Sequence, residues 1–230
     1  MDTRYIPQIR LPEIGKEGQA RLLDARVLIV GCGALGSPIA MYLAGAGVGS
    51  ITIADFDTVD ISNLHRQVFY REGDAGKLKC DLLANSMIEL NSQVKVECIP
   101  SLITKDFLEE NNGKFDLIAD AADNPSTTYL LDSYCKRRAI PLSIAGVTEW
   151  RAQVFQYVPG SVAYSDIFPA PALDSDFMPC SLAGIAGPVA ALAASLQASN
   201  IIKTLVGAGD KESSLFTADL LKGNFETFTF

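Results

Sequence analysis

The chain holds a single histidine, His65, and no two of its five cysteines are spaced as Cys-x-x-Cys. A structural zinc site built from such pairs is therefore not expected. The cysteines, at 32, 80, 98, 135 and 180, are odd in number and widely spaced. Together with the absence of a charged-then-apolar opening segment, this favours reduced thiols in a cytoplasmic protein. Bases are also in short supply, with 19 Lys and Arg against 27 Asp and Glu and a net charge of −8. An acidic surface argues against general binding to nucleic acid or anionic membrane, but leaves room for a local basic pocket that takes one anionic ligand. The apolar stretch from Pro188 to Leu205 is interrupted by Ser195, Gln197, Ser199, Asn200 and Lys203. It reads as a buried helix and not as a membrane span. There is no internal repeat and no low-complexity linker.

The 230 residues, 48% hydrophobic and 20% charged, suffice for one domain spanning 1–230 with a sizeable core. Residues 1–24, with Pro7, Pro12 and Gly15, read as an N-terminal arm carrying a short helix near Lys16–Leu23. Val27–Val30 is a continuous apolar run of the kind found in strands buried on both faces. Ser37–Ala46 then reads as a helix and Ser50–Asp57 as a strand. Further helices are expected at Leu78–Leu90, Thr104–Glu110, Ser126–Arg138 and Gly187–Val206. Further strands are expected at Val94–Ile99, Phe115–Ala119, Pro141–Ala145 and Arg151–Val158, with a hairpin over Ser214–Phe230 turning at Lys222-Gly223-Asn224. Residues 159–186, with four prolines, read as a mobile crossover loop. The alternation predicts an α/β fold: a Rossmann-like, mostly parallel sheet with helices on both faces, extended by antiparallel C-terminal strands.

Gly31-Cys32-Gly33-Ala34-Leu35-Gly36 matches G-x-G-x-x-G between a strand and a helix. Gly31, Gly33 and Gly36 let backbone approach phosphate at a helix N-terminus, where free N–H groups and partial positive charge favour an anion. Asp55, at the end of the next strand, is where an acid can bind ribose hydroxyls. The same loop also serves as a tight turn packed without ligand, and by itself it suits a dinucleotide as well as ATP. A nicotinamide-dependent oxidoreductase is thus one alternative, although no substrate domain or hydride-transfer acid or base is evident.

The acids Asp55, Asp57, Asp120 and Asp123 fall at or just after strand ends, where ligands sit in a parallel sheet. Asn63, Arg66 and Gln67 lie in one short segment, and Lys79 opens the following helix. Arginine grips phosphate in bidentate fashion and lysine acts on it as a point charge. Carboxylates beside phosphate call for a divalent ion, and Mg²⁺ suits one or two carboxylates plus phosphate oxygens. Asp123 is the candidate ligand; as the alternative, it caps the helix beyond Pro125.

Taken in order, these residues resemble the ThiF/MoeB/HesA family, bacterial relatives of ubiquitin-activating enzymes. The resemblance rests on Arg4-Tyr5 with Gln8-Ile9, Gly18-Gln19, Val27–Gly36, Ala44–Gly49, Asp55–Val59, Ser62–Gln67, Gly76–Lys79, Asp123-Asn124 and Cys180–Gly184 leading to Gly187-Pro188. It implies an enzyme that binds ATP and Mg²⁺, together with a small ubiquitin-like sulfur-carrier protein ending in Gly-Gly. The carrier's carboxylate attacks the α-phosphorus, an acyl-adenylate forms and pyrophosphate leaves. Sulfur then replaces AMP in thiazole or molybdopterin synthesis. By motif, Asp55 holds the ribose, Asn63, Arg66 and Lys79 contact the phosphates, and Asp123 holds Mg²⁺. A homodimer is also implied.

The chain departs from the family pattern in three places. The first zinc-binding Cys-x-x-Cys aligns with Ala163-Tyr164-Ser165-Asp166 and no second pair follows, which marks a zinc-free variant. Pro7 stands where an arginine reaches the partner subunit's ATP, with Arg4 and Arg10 as candidate replacements. Thr128 stands near a further expected arginine. These losses motivate a second alternative, a non-catalytic relative that binds nucleotide or a ubiquitin-like protein. Cys180 is the candidate for a covalent link to the carrier, a role that depends on its thiol environment.

Overall fold

The computed structural model describes residues 3–170 and 184–230. Eight strands form one sheet in the order β3-β2-β1-β4-β5-β6-β7-β8. Strands β1 (Arg26–Val30), β2 (Ser50–Ala54), β3 (Lys95–Ile99), β4 (Leu117–Asp120) and β5 (Leu142–Thr148) run parallel. Strands β6 (Arg151–Tyr157), β7 (Ser214–Asp219) and β8 (Asn224–Thr229) continue the sheet as an antiparallel meander. The expected fold class is thus the observed one. Strand boundaries shift by a few residues; β2 ends at Ala54, so Asp55 follows the strand and does not end it.

Helices cover both faces because the central strands are apolar on both. Val27 and Ile29 of β1 pack with α3 (Gly36–Ala46), α4 (Lys79–Leu90) and the 20-residue α8 (Gly187–Val206). Leu28 and Val30 face the other way, toward α5 (Lys105–Glu110), α6 (Pro125–Arg138) and α7 (Tyr164–Ile167). All four β1 side chains are buried, and full burial of such a side chain is worth about 1.5–3 kcal/mol. Helix α8 is long and apolar enough to cross a membrane by composition. It lies instead on the sheet, burying Val189, Ala190, Ala193, Ala194 and Ile201. Gln197 of this helix donates to the carbonyls of Asp120 (2.9 Å) and Ser143 (2.8 Å).

The N-terminal arm folds as α1 (Ile6–Ile9) and α2 (Gly15–Asp24) at the end of the sheet where strands begin. Tyr5 is buried against Gly47, and Gln8 donates to Gln19 and to the Ala46 carbonyl. Arg4 donates to the Leu90 carbonyl at 2.9 Å.

The cysteines correct one expectation. Cys80 and Cys98 are paired as a disulfide, with Cα atoms 5.8 Å apart, while Cys32 and Cys135 are free and buried. The first turn of α4 packs over edge strand β3, and this tertiary approach is invisible in a separation of 18 residues.

Candidate active site

β1 is followed by β2 on one side and flanked by β4 on the other, which opens a crevice at the carboxyl ends of the strands. The glycine loop lies there. A Cβ on Gly36 would stand 1.7 Å from the Gly31 carbonyl oxygen, and one on Gly31 would stand 2.5 Å from that of Ala121. Gly31 also holds φ at +99°, so no side chain fits either position. The loop leads into α3, and Ser37 closes the turn by donating to the Gly33 carbonyl from both N–H and Oγ.

A cavity of about 860 Å³ opens above this loop. Gly31, Gly33, Asp55, Asp57, Asn63, Arg66, Gln67, Lys79 and Asp123 all line it. Gly36 does not; it supports the loop from beneath.

Asp55 is partly enclosed, and its two oxygens accept N–H bonds from Cys32 (2.6 Å) and Asp57 (2.8 Å). Burial holds its carboxyl above the ordinary value, against those two bonds and the charge of Lys79. Each oxygen keeps a second lone pair for a ligand hydroxyl. The Lys79 side chain is 5% exposed, and its Nζ rests 2.9 Å from Asp57 Oδ2. The Lys79 N–H also bonds the Asp57 carbonyl, so Asp57 fixes both ends of the lysine. Asn63 Oδ1 accepts from Gln67 Nε2 (3.0 Å) and Arg66 (3.3 Å). Gln67 Oε1 is buried without a partner among the described residues, a polar atom that a ligand donor would satisfy.

The structure separates Asp120 from the other acids. Its side chain is buried, 1% exposed, and its Oδ1 accepts the Ala122 N–H at 3.0 Å. Grouping it with the cavity acids is therefore corrected. Burial pushes its carboxyl up to about 6. Asn124, not Asp123, caps α6, accepting the Thr127 N–H at 2.9 Å. Asp123 thus faces the cavity with its carboxylate unengaged among the described residues. That arrangement suits a hard divalent cation. Cys180 lies outside the described residues.

Some of the cavity wall carries no motif. Ser101, Leu102 and Ile103, after β3, also line it. At the other end the cavity runs on along Gly146 of β5 and Gln153, Thr217 and Glu226 of the antiparallel strands. Only the fold brings these segments together.

A glycine-loop cradle, the cations Arg66 and Lys79 and an unengaged carboxylate share one crevice of a doubly wound sheet, an arrangement suited to phosphate. The chain belongs to the ThiF family, which matches residues 5–230. It is 39% identical over 204 residues to the adenylyltransferase and sulfurtransferase MOCS3 of Dictyostelium discoideum, covering 88% of this chain and 48% of that one. It is 34% identical over 228 residues to the SAMP-activating enzyme E1 of Haloferax volcanii, covering 99% and 84%. The chain thus spans about half the length of MOCS3 and most of the archaeal relative. Among solved structures, E. coli MccB with ATP superposes with a TM-score of 0.82 at 26% identity, over 100% of this chain and 72% of that one.

Proposed function

We propose that this chain uses ATP to adenylate the C-terminal Gly-Gly carboxylate of a small ubiquitin-like sulfur-carrier protein. The product would serve thiamine thiazole or molybdopterin sulfur transfer. The observation that carries this reading is the shape of the cavity. One continuous space joins the glycine loop and Lys79 to a limb walled by the antiparallel strands. A nucleotide fills the first part, and the second is left for an extended peptide tail. Relatives named adenylyltransferases, at 39% identity, support the reading.

In the reaction a carboxylate oxygen of the carrier attacks the α-phosphorus. The bond to the bridging oxygen breaks, and pyrophosphate leaves with the electron pair. The nucleophile is already ionised, so no general base is needed. The protein contributes position and charge. Asp55 orients the ribose, and Asn63, Arg66 and Lys79 contact the phosphates and draw charge from them. When bound, Mg²⁺ would neutralise phosphate charge, and Asp123 would hold it. Neither Arg4 nor Arg10 lines this cavity, so in this reading either one would serve only the ATP of a partner in a homodimer. No zinc and a cytoplasmic setting belong to the same reading.

The test is isotope exchange between ATP and pyrophosphate with purified carriers. Exchange should require a carrier that ends in Gly-Gly and vanish when those glycines are removed. ATP binding without exchange for any such carrier would favour the non-catalytic alternative.

A further inference from the structure

Tyr70 belongs to no motif and does not line the cavity, yet it touches the loop that does. It is 4% exposed, and its hydroxyl donates to the Cys32 carbonyl at 2.6 Å, with the Lys79 carbonyl 3.4 Å away. Burial pushes the phenol well above its ordinary range, so it stays a neutral donor. From the other side, the Cys32 N–H is held by Asp55 Oδ2 at 2.6 Å.

A peptide unit is planar and trans, so fixing its carbonyl fixes the N–H at its other end, pointing the opposite way. The carbonyl held by Tyr70 belongs to the same unit as the Gly33 N–H. The N–H held by Asp55 belongs to the preceding unit. Two successive planes are thereby locked in a stretch flanked by glycines, where planes otherwise turn over readily. Neither the Gly33 nor the Ala34 N–H has a partner among the described residues. The plane set by Tyr70 directs the Gly33 N–H away from Tyr70, to the side from which phosphate would approach.

We infer that Tyr70 is a positioning residue, which holds the Cys32–Gly33 peptide so that the Gly33 N–H is presented to the nucleotide phosphates. This rests on the reading that the loop cradles ATP. Without the hydroxyl the plane is free to turn its carbonyl toward the phosphates. A hydrogen bond to the carbonyl also polarises the unit and strengthens the N–H as a donor.

The test compares ATP with adenosine, which has the ribose and base but no phosphate. Calorimetry on Tyr70→Phe should show ATP binding weakened about tenfold, the loss of one buried hydrogen bond to a carbonyl. Adenosine binding should be unchanged. Equal weakening of both ligands, or of neither, overturns the proposal, because a general structural role would not single out phosphate. A second readout needs no variant: the Gly33 amide resonance of the wild-type chain should move on ATP and stay on adenosine. A Gly33 amide indifferent to ATP overturns it as well. Wild-type chain that binds no ATP would instead sink the nucleotide reading. Wild-type chain that binds ATP but supports no exchange would sink only the proposed reaction.

Discussion

The two halves of the sheet are built on different terms. In the parallel half, each strand is joined to the next through a crossover, and the strand ends converge on one crevice. Side chains of its central strands are buried on both faces, and loops carry the polar groups. In the antiparallel half, strands that are neighbours in sequence are neighbours in space, β6 and β7 included despite the long connection between them, and the last strand is exposed along its whole length. The parallel half offers fixed donors and charges for a small anionic ligand. The antiparallel half offers a wall for an extended segment. One cavity spans both, so the division of labour can be tested by damaging one half at a time.

The largest effect is expected on the parallel side. Lys79→Ala and Asp123→Ala should each lower the rate of exchange at saturating ATP by roughly 10²–10³-fold, the scale of losing one preorganised charge-stabilising group. Carrier binding measured without nucleotide should be unchanged. Exchange that survives both substitutions intact would remove these residues from the site.

Asp120 probes the stability of the same half. The folded state holds its proton more tightly than the unfolded chain does, because burial raises its carboxyl from 3.8 to about 6. Its contribution is therefore full below 3.8 and is lost as pH rises through about 6. The neutral variant Asp120→Asn has no such loss. Chemical denaturation across this range should show the wild type falling behind the variant by up to about 3 kcal/mol as pH rises. A difference that does not vary with pH would show that Asp120 is not the titrating group.

The smallest effect is expected in the limb of the cavity that the antiparallel strands wall, at its border with β5. A methyl group at Gly146 would stand 3.1 Å from the movable amide of Gln153, so Gly146→Ala narrows the cavity limb without breaking the fold. The carrier KM should rise a few-fold, on the order of 1 kcal/mol, with the ATP KM unchanged. A change confined to ATP would reverse the assignment of the two halves.

The sequence was most legible in the parallel half. The apolar run at Val27–Val30, the glycine spacing and the cations Arg66 and Lys79 each carry a local physical signature. Strand, loop and helix could be ordered from them, and Gly31, Gly33, Asp55, Asp57, Asn63, Arg66, Gln67, Lys79 and Asp123 meet around one cavity, while Cys180 lies outside the described residues. The failures share a cause. Asp120 ends β4 and Asp123 follows it, and the two look alike in sequence, but their burial depends on which way β4 presents its side chains and on Asn124 taking the cap. The Cys80–Cys98 pair depends on how a helix packs over an edge strand. Gly146, Thr217 and Glu226 come from three strands whose register alone makes them neighbours. Tyr70 had one available signal, a tyrosine shortly after the Arg66-Gln67 pair, but its partner is a backbone carbonyl that no side-chain motif encodes.

Helix α8 has a consequence for how the chain is made. Its residues Val189, Ala190, Ala193, Ala194 and Ile201 close the core around β1 and β4, strands that leave the ribosome much earlier. Until that helix emerges, this apolar face of the nascent sheet is covered only in part, by α3 and α4. The cradle for the nucleotide, encoded near the start, is thus completed only by a segment near the end, and a stalled or shortened chain would display a sticky, unfinished sheet for chaperones to hold.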